Sequence, residues 1–300
     1  MINHSNLAVG TPTSGLLVTD GGVFMGARRD PAGCSVALFG VAYDGTTSFR
    51  PGTRFGPAAI RAVSEGLETY DPQLDRDLAD VAYADLGAVD CPHGAPEPVV
   101  EAVRRATEAV LDQNLRPLML GGEHSISSGA VAAVAARHPD LVLLQLDAHA
   151  DLRDSWLGSR HSHACAMRRC LEVLPSGTLL QLDIRSGTRE EFAELRQEQR
   201  LLQLAQLPAA LDALRGRPIY LTVDLDWFDP AVLPGTGTPE PGGFCWADFA
   251  RVVAALQGQR LVAADVVELA PALDPSDVSS VLAAKVVRSL ILSLAAAPAP

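Results

Sequence analysis

Six residues with the chemistry of metal ligands stand at the ends of three apolar runs. The segment LVLLQLDAHADLRD, residues 141–154, carries Asp147, His149 and Asp151 at alternate positions after an almost unbroken apolar stretch. The segment IYLTVDLDWFDP closes in the same way on Asp224 and Asp226. A third, PLMLGGEHSIS, leaves its apolar run through Gly121 and Gly122 and presents His124 just ahead of a helical pattern. A period of two puts Asp147, His149 and Asp151 on one side of an extended chain, and does the same for Asp224 and Asp226. Alone, an Asp-x-Asp at a strand end also reads as a cap or turn, and a histidine after two glycines as a cap. It is the three together that point to chemistry. Clustered carboxylates repel strongly in a low-dielectric cleft and need neutralising. Two divalent cations would set four positive charges against the four aspartates, with both imidazoles as neutral ligands. A donor set of carboxylates without thiolates suits Mn²⁺ or Mg²⁺, and the two histidines turn the choice toward Mn²⁺.

The elements that must hold these residues follow from the same alternation. SVALFGVAY, VAYADLGAV, PLML, LVLLQLD, TLLQLDIR, LLQL, IYLTVDLD and RLVAADVVEL are short runs rich in Val, Leu and Ile. Helical patterns lie between most of them. PEPVVEAVRRATEAVLDQN places Val100, Val103, Ala106, Val110 and Leu111 on one stripe. TREEFAELRQEQR opens on Thr188 and Glu191 at capping-box spacing. DPSDVSSVLAAKVVRSLILSL opens on Asp274 as N-cap with Pro275 at the first helical position. Strands buried on both faces and alternating with helices predict a three-layer α-β-α sandwich around a mostly parallel sheet of about eight strands. In such a sheet ligands bind beyond the carboxyl ends of the strands, which is where the six residues fall. Residues 1–33 show no period and read as an irregular N-terminal arm, and 34–300 as a single catalytic domain.

Bulk composition narrows the function. The 300 residues are 48% hydrophobic, enough for a sizeable core. The net charge of −12 argues against nucleic acid, whose phosphates need clustered Lys and Arg, and suits a small cationic substrate. Five cysteines (Cys34, Cys91, Cys165, Cys170 and Cys245) without zinc-type spacing read as free thiols in a reducing cytoplasm. No signal peptide is read at the N-terminus. The late run VVRSLILSLAAA is interrupted by Arg288 and reads as a buried helix too short for a bilayer, followed by a frayed AAAPAP end. His4 and His93 in polar stretches, and His138 at a helix end where a cation meets the negative dipole favourably, are given no role.

GGEHS, DAHAD, SHACAM, LTVDLDWFDPAVLPGTGTPEPGG and DVVELAP, in this order, resemble the motif set of the ureohydrolases, the arginases, agmatinases and their relatives. RPGTRFGPAAIR resembles the agmatinase branch in particular, and the likeness spans roughly Val36 to Leu294. It implies that His124, Asp147, Asp151 and Asp224 hold one Mn²⁺ and that His149 and Asp226 hold a second, with Asp147 and Asp224 bridging and a hydroxide between the metals. It further implies that Glu268 binds the substrate guanidinium and that His163 shuttles protons. Glu123 stands where many relatives have aspartate, and Ala164 where many have glycine after the histidine. Relatives are commonly trimers or hexamers, so a homo-oligomer is expected.

The chemistry asks for these groups. A guanidinium carbon is a poor electrophile, and two metals can lower the pKa of a bridging water toward 7 and aim the hydroxide. The amine leaves only after protonation, a step a positioned histidine can serve. Asp226 could accept the hydroxide proton, and Glu268 could pair with the guanidinium in bidentate fashion. The expected reaction is agmatine to putrescine and urea. Arginine is disfavoured because LGSRHSHAC lacks the asparagine that arginases place there. Aminopropylagmatine fits equally, and guanidinobutyrate would be favoured if Arg160 binds a carboxylate rather than standing on the surface. His161 reads as a surface residue or part of the entrance. A two-metal phosphoesterase is opposed by the absence of an Asn-His pair, and a non-catalytic binding protein by the completeness of the ligand set.

Overall fold

The computed structural model describes residues 16–18 and 22–296. Most of the expected arm, His4 and residues 297–300 lie outside the described residues, while Ala295 and Ala296 of the expected frayed end are helical. The chain runs through β1 (Leu17–Val18), β2 (Val36–Gly40), α1 (Gly56–Ser64), the hairpin strands β3 (Tyr70–Asp71) and β4 (Arg76–Asp77), and β5 (Tyr83–Val89). It continues with α2 (Pro96–Leu111), β6 (Arg116–Leu120), α3 (Ser127–Arg137), β7 (Val142–Leu146), α4 (Ala166–Leu171), β8 (Leu179–Leu182) and α5 (Arg189–Gln197). Last come β9 (Leu201–Leu202), α6 (Leu207–Ala213), β10 (Pro218–Asp224), α7 (Trp246–Ala255), β11 (Arg260–Val267) and α8 (Val278–Ala296).

Nine strands form one sheet in the order β1-β5-β2-β6-β11-β10-β7-β8-β9. Every pairing is parallel except β1 against β5, and β1 is the strand the apolar pattern did not announce. The period of two divides each central strand between two cores. Val142, Leu144 and Leu146 face a cluster with α1, α6, α7 and α8, while Leu143 faces one with α2, α3 and α4. Val36 and Leu38 part from Ala37 and Phe39 in the same way. This is the expected three-layer arrangement. It brings the carboxyl ends of β6, β11, β10 and β7 side by side, although the four strands are far apart in sequence.

Several local expectations are corrected. The last helix starts at Val278, not at Pro275, because Asp277 adopts a left-handed φ of 60°. Asp274 still caps it from outside, accepting from the Ser279 amide at 2.8 Å. With its full 19 residues α8 is long and apolar enough to cross a membrane, contrary to the reading as too short. It instead packs into the core, with Val286, Val287, Leu290, Ile291 and Leu294 wholly buried. On α2 the buried stripe runs through Val99 rather than Val100. His138 is the C-cap of α3, and burial, then the neighbouring Arg260, lowers its pKa, which disfavours the charged form there. The capping box of α5 forms as expected: Glu191 N–H donates to Thr188 Oγ1, and Thr188 N–H to Glu191.

Candidate metal centre

Each ligand-type side chain emerges where a strand ends. After β6 the chain turns through Gly122, where a Cβ would stand 1.9 Å from the carbonyl oxygen of Tyr43, so only glycine lets the two backbones meet. His124 then opens a short 3₁₀ turn. After β7 the chain bends at Ala148, and the His149 amide donates to Asp147 Oδ1. Asp151 takes a left-handed φ of 53°, so the chain is not extended throughout, and the twist turns its carboxylate back toward His124. Glu268 after β11 is left-handed too, at 67°. For residues other than glycine this conformation costs about 1–3 kcal/mol, and Asp151 and Glu268 stand beyond the carboxyl ends of β7 and β11.

The resulting geometry is tight. His124 Nδ1 lies 3.1 Å from Asp147 Oδ2, 3.1 Å from Asp151 Oδ2 and 3.3 Å from Asp224 Oδ2. His149 Nδ1 lies 2.9 Å from Asp226 Oδ2 and 3.7 Å from Asp147 Oδ1. Two groups of metal-ligand spacing result, His124–Asp147–Asp151 and Asp147–His149–Asp226, and they share Asp147. Below them Thr222 Oγ1 donates to Asp265 Oδ1 at 2.6 Å and stands 2.9 Å from His124 Nε2. A hydroxyl has one proton, so Thr222 must accept from Nε2–H, which leaves the Nδ1 lone pair aimed at the carboxylates. That buried Nδ1 has no hydrogen-bond partner. An unpartnered buried imidazole nitrogen amid carboxylate oxygens fits a divalent cation, and the shared Asp147 fits two.

Electrostatics agree. Burial alone would lower the pKa of His149, but Asp226 and Asp147 raise it to about 12. His124 is raised well above its ordinary value by Asp147, Asp151 and Asp224 against the same burial penalty. Burial, then Asp147, lifts Asp151 to about 7, and burial with Asp226 and Asp147 lifts Asp224 well above the carboxylate range. The groups compete for positive charge, which protons supply in the metal-free chain.

Asp147 is wholly buried, while His124, His149, Asp151, Asp224 and Asp226 line a cleft of about 290 Å³. Glu268 and His163 line it. Glu268 Oε1 accepts from the His124 amide at 2.7 Å, which orients the carboxylate and leaves Oε2 for a ligand. Burial, then Glu123, raises its pKa well above normal. His163 is pushed down to about 4 by burial, then by the charges of His124 and His149, and is neutral at neutral pH. Sequence alone could not separate His163 from His161; only His163 lines the cleft.

Arg160 is not brought to the site. Its guanidinium turns outward to Asp154 at 3.1 Å and Glu172 at 3.0 Å, and a group held by two surface carboxylates is not free for a substrate. The cleft arginine is Arg153, stacked 4.0 Å over the ring of Trp156. Ser48, Ser186, Glu191 and Thr238 also line the cleft and were missed. Thr238 had a signal, since GTGTPEPGG ends the run LTVDLDWFDPAVLPGTGTPEPGG that resembles the ureohydrolases, and its hydroxyl donates to Asp226 Oδ2 at 3.1 Å.

Comparison with known proteins bears on the same residues. The arginase family model matches residues 34–293. An agmatinase of Bacillus cereus is 39% identical over 278 residues, covering 91% of this chain and 96% of that one. The human mitochondrial guanidino acid hydrolase is 32% identical, covering 89% and 80%. The solved agmatine ureohydrolase of Thermoplasma volcanium superposes with a TM-score of 0.83 at 33% identity, covering 92% and 95%.

Proposed function

The chain belongs to the arginase family and is a hydrolase of guanidino C–N bonds, and from that premise we propose that it cleaves agmatine to putrescine and urea at a binuclear manganese centre. The observation that carries the proposal is the pair of ligand groups that share the buried Asp147, with His124, His149, Asp151 and Asp226 of those groups lining a cleft that Glu268 and His163 also line. His124, Asp147, Asp151 and Asp224 would hold one cation, and Asp147, His149, Asp224 and Asp226 the other. Bound there, the two cations would supply a water activated for attack at neutral pH.

The chain's own groups do the rest. Glu268 pairs with the guanidinium and sets its carbon above the floor. Asp226 is fixed by the Ala148 amide, His149 and Thr238, and takes the proton of the attacking water. Attack gives a tetrahedral carbon bearing three nitrogens. The proton taken by Asp226 is relayed by His163, neutral at rest, to the amine, whose C–N bond then breaks to leave urea. Residues 34–300 act as one catalytic unit, to which the segment before it contributes the edge strand β1 and the buried Phe24. A cytoplasmic homo-oligomer completes it.

A second reading has its own observation. Arg153 pairs with no acid among the described residues and stacks at the cleft wall, where the carboxylate of guanidinobutyrate would find it. Urea release from agmatine, aminopropylagmatine, guanidinobutyrate and arginine after manganese loading tests both. Agmatine should give the highest kcat/KM. Preference for guanidinobutyrate, abolished by Arg153→Gln, would replace the agmatine reading.

A further inference from the structure

The loop that follows β2 reaches across the cleft to His163, and the interaction partners of both ends are resolved. His163 N–H donates to Thr46 Oγ1 at 3.0 Å, and His163 Nε2 stands 3.2 Å from Ser48 Oγ. Thr46 hands the pull on: its amide donates to Glu123 Oε2 at 2.7 Å and its hydroxyl to Glu123 Oε1. Glu123 is wholly buried and also accepts from Ser125 Oγ at 2.6 Å. Beyond Ser48 the loop is tied down by Arg50, which donates to the carbonyls of Thr236 and Gly237, and by Asp44, which accepts from the Gly52 amide at 2.9 Å. The segment 46–48 is therefore fixed before any substrate arrives.

We propose that Ser48 is a positioning residue for His163, and that Glu123, acting through Thr46, holds the loop that places it. The inference rests on the shuttle role proposed for His163. The choice of a hydroxyl has a physical reason. When His163 is neutral with a lone pair on Nε2, Ser48 can donate to it; when Nε2 carries a proton, Ser48 can accept. One contact thus serves both protonation states, and the ring need not turn between taking a proton and giving it up. A carbonyl or an ammonium at that place would favour one state only.

The test is kinetic, on manganese-loaded full-length protein with metal content measured alongside. Ser48→Ala should lower kcat roughly tenfold, the usual scale for one lost orienting hydrogen bond. KM and metal content should stay unchanged, and the acid limb of the kcat–pH profile should shift. Ser48→Thr keeps the hydroxyl and should restore the profile. In a His163→Asn background, Ser48→Ala should cause no further loss, because the residue it positions is gone. Thr46→Val, which removes the hydroxyl between Glu123 and His163, should reproduce the kcat loss with both metals retained. Wild-type kcat and pH profile in Ser48→Ala, beside an impaired His163→Asn, would overturn the Ser48 assignment alone. So would an equal loss from Ser48→Ala in both backgrounds. Unchanged kcat in Thr46→Val would overturn the Glu123 half. Full kcat in His163→Asn would remove the shuttle reading itself, and this inference with it.

Discussion

At the scale of residues, Asp147 carries the most. It is wholly buried, accepts from the His149 amide, receives Gln145 Nε2–H at 2.6 Å, and belongs to both ligand groups. Asp147→Asn should therefore reduce bound manganese at both positions, and elemental analysis of the purified variant checks it; two full equivalents would refute the shared role. The imidazoles add a pH dependence. The pKa of His149 is raised to about 12, so it holds a proton through neutral pH when no metal is bound, and that of His124 is shifted in the same direction. Metal must displace protons held there, so binding should release protons and weaken as pH falls. Calorimetry in two buffers of different ionisation enthalpy reads the protons directly, and a pH-independent affinity would contradict the assignment of these imidazoles as ligands.

At the scale of elements, α8 shows how a long apolar helix is kept in register. Arg288 donates to the carbonyls of Glu68 at 2.8 Å and Tyr70 at 3.1 Å and pairs with Asp71 at 3.1 Å, while Ser289 Oγ donates to Asp71 at 2.6 Å. Both charged side chains are almost fully buried, at 4% and 1% exposure. Arg288→Met keeps the helix apolar but strands the Asp71 carboxylate, and breaking a buried pair this way costs about 3–5 kcal/mol. Urea denaturation at pH 7 should show that loss. Burial tends to raise the Asp71 pKa, but Ser289 and Arg288 win and hold it below the usual range. A depressed carboxylate contributes stability above its unfolded pKa and loses it as pH falls, so the gap between wild type and variant should narrow below about pH 4.

At the scale of the whole molecule, the net charge of −12 acts on a substrate before contact. Agmatine is a dication, and an acidic cleft in an acidic protein draws it in. Its kcat/KM should fall as salt rises from about 0.05 to 0.5 M, because the screening length shrinks over that range. Guanidinobutyrate has no net charge and should respond little. Equal salt dependence for the two substrates would mean that long-range attraction plays no part.

The strands and the ligand types were legible because their signals are local. Apolar runs alternating with helical stripes give a parallel sheet whatever the order of its strands, and His and Asp at alternate positions are a donor set before any fold exists. The resemblance to the ureohydrolases rested on the same short motifs. What lay beyond the sequence are the partners across the chain. Nothing local says that β11 and β10 lie between β6 and β7, yet that order brings Glu268 beside His124. Thr222 and Asp265 read as polar residues inside apolar strands until packing sets them beneath His124 and fixes its tautomer. Ser48 meets His163 across 115 positions. Arg153 and Arg160 have the same chemistry and lie seven positions apart in DLRDSWLGSR, and only the turn between them sends one to the cleft and the other to surface acids. Hydrophobic periodicity and donor spacing are properties of a few consecutive residues, whereas which side chains share a cleft is decided by how whole layers pack.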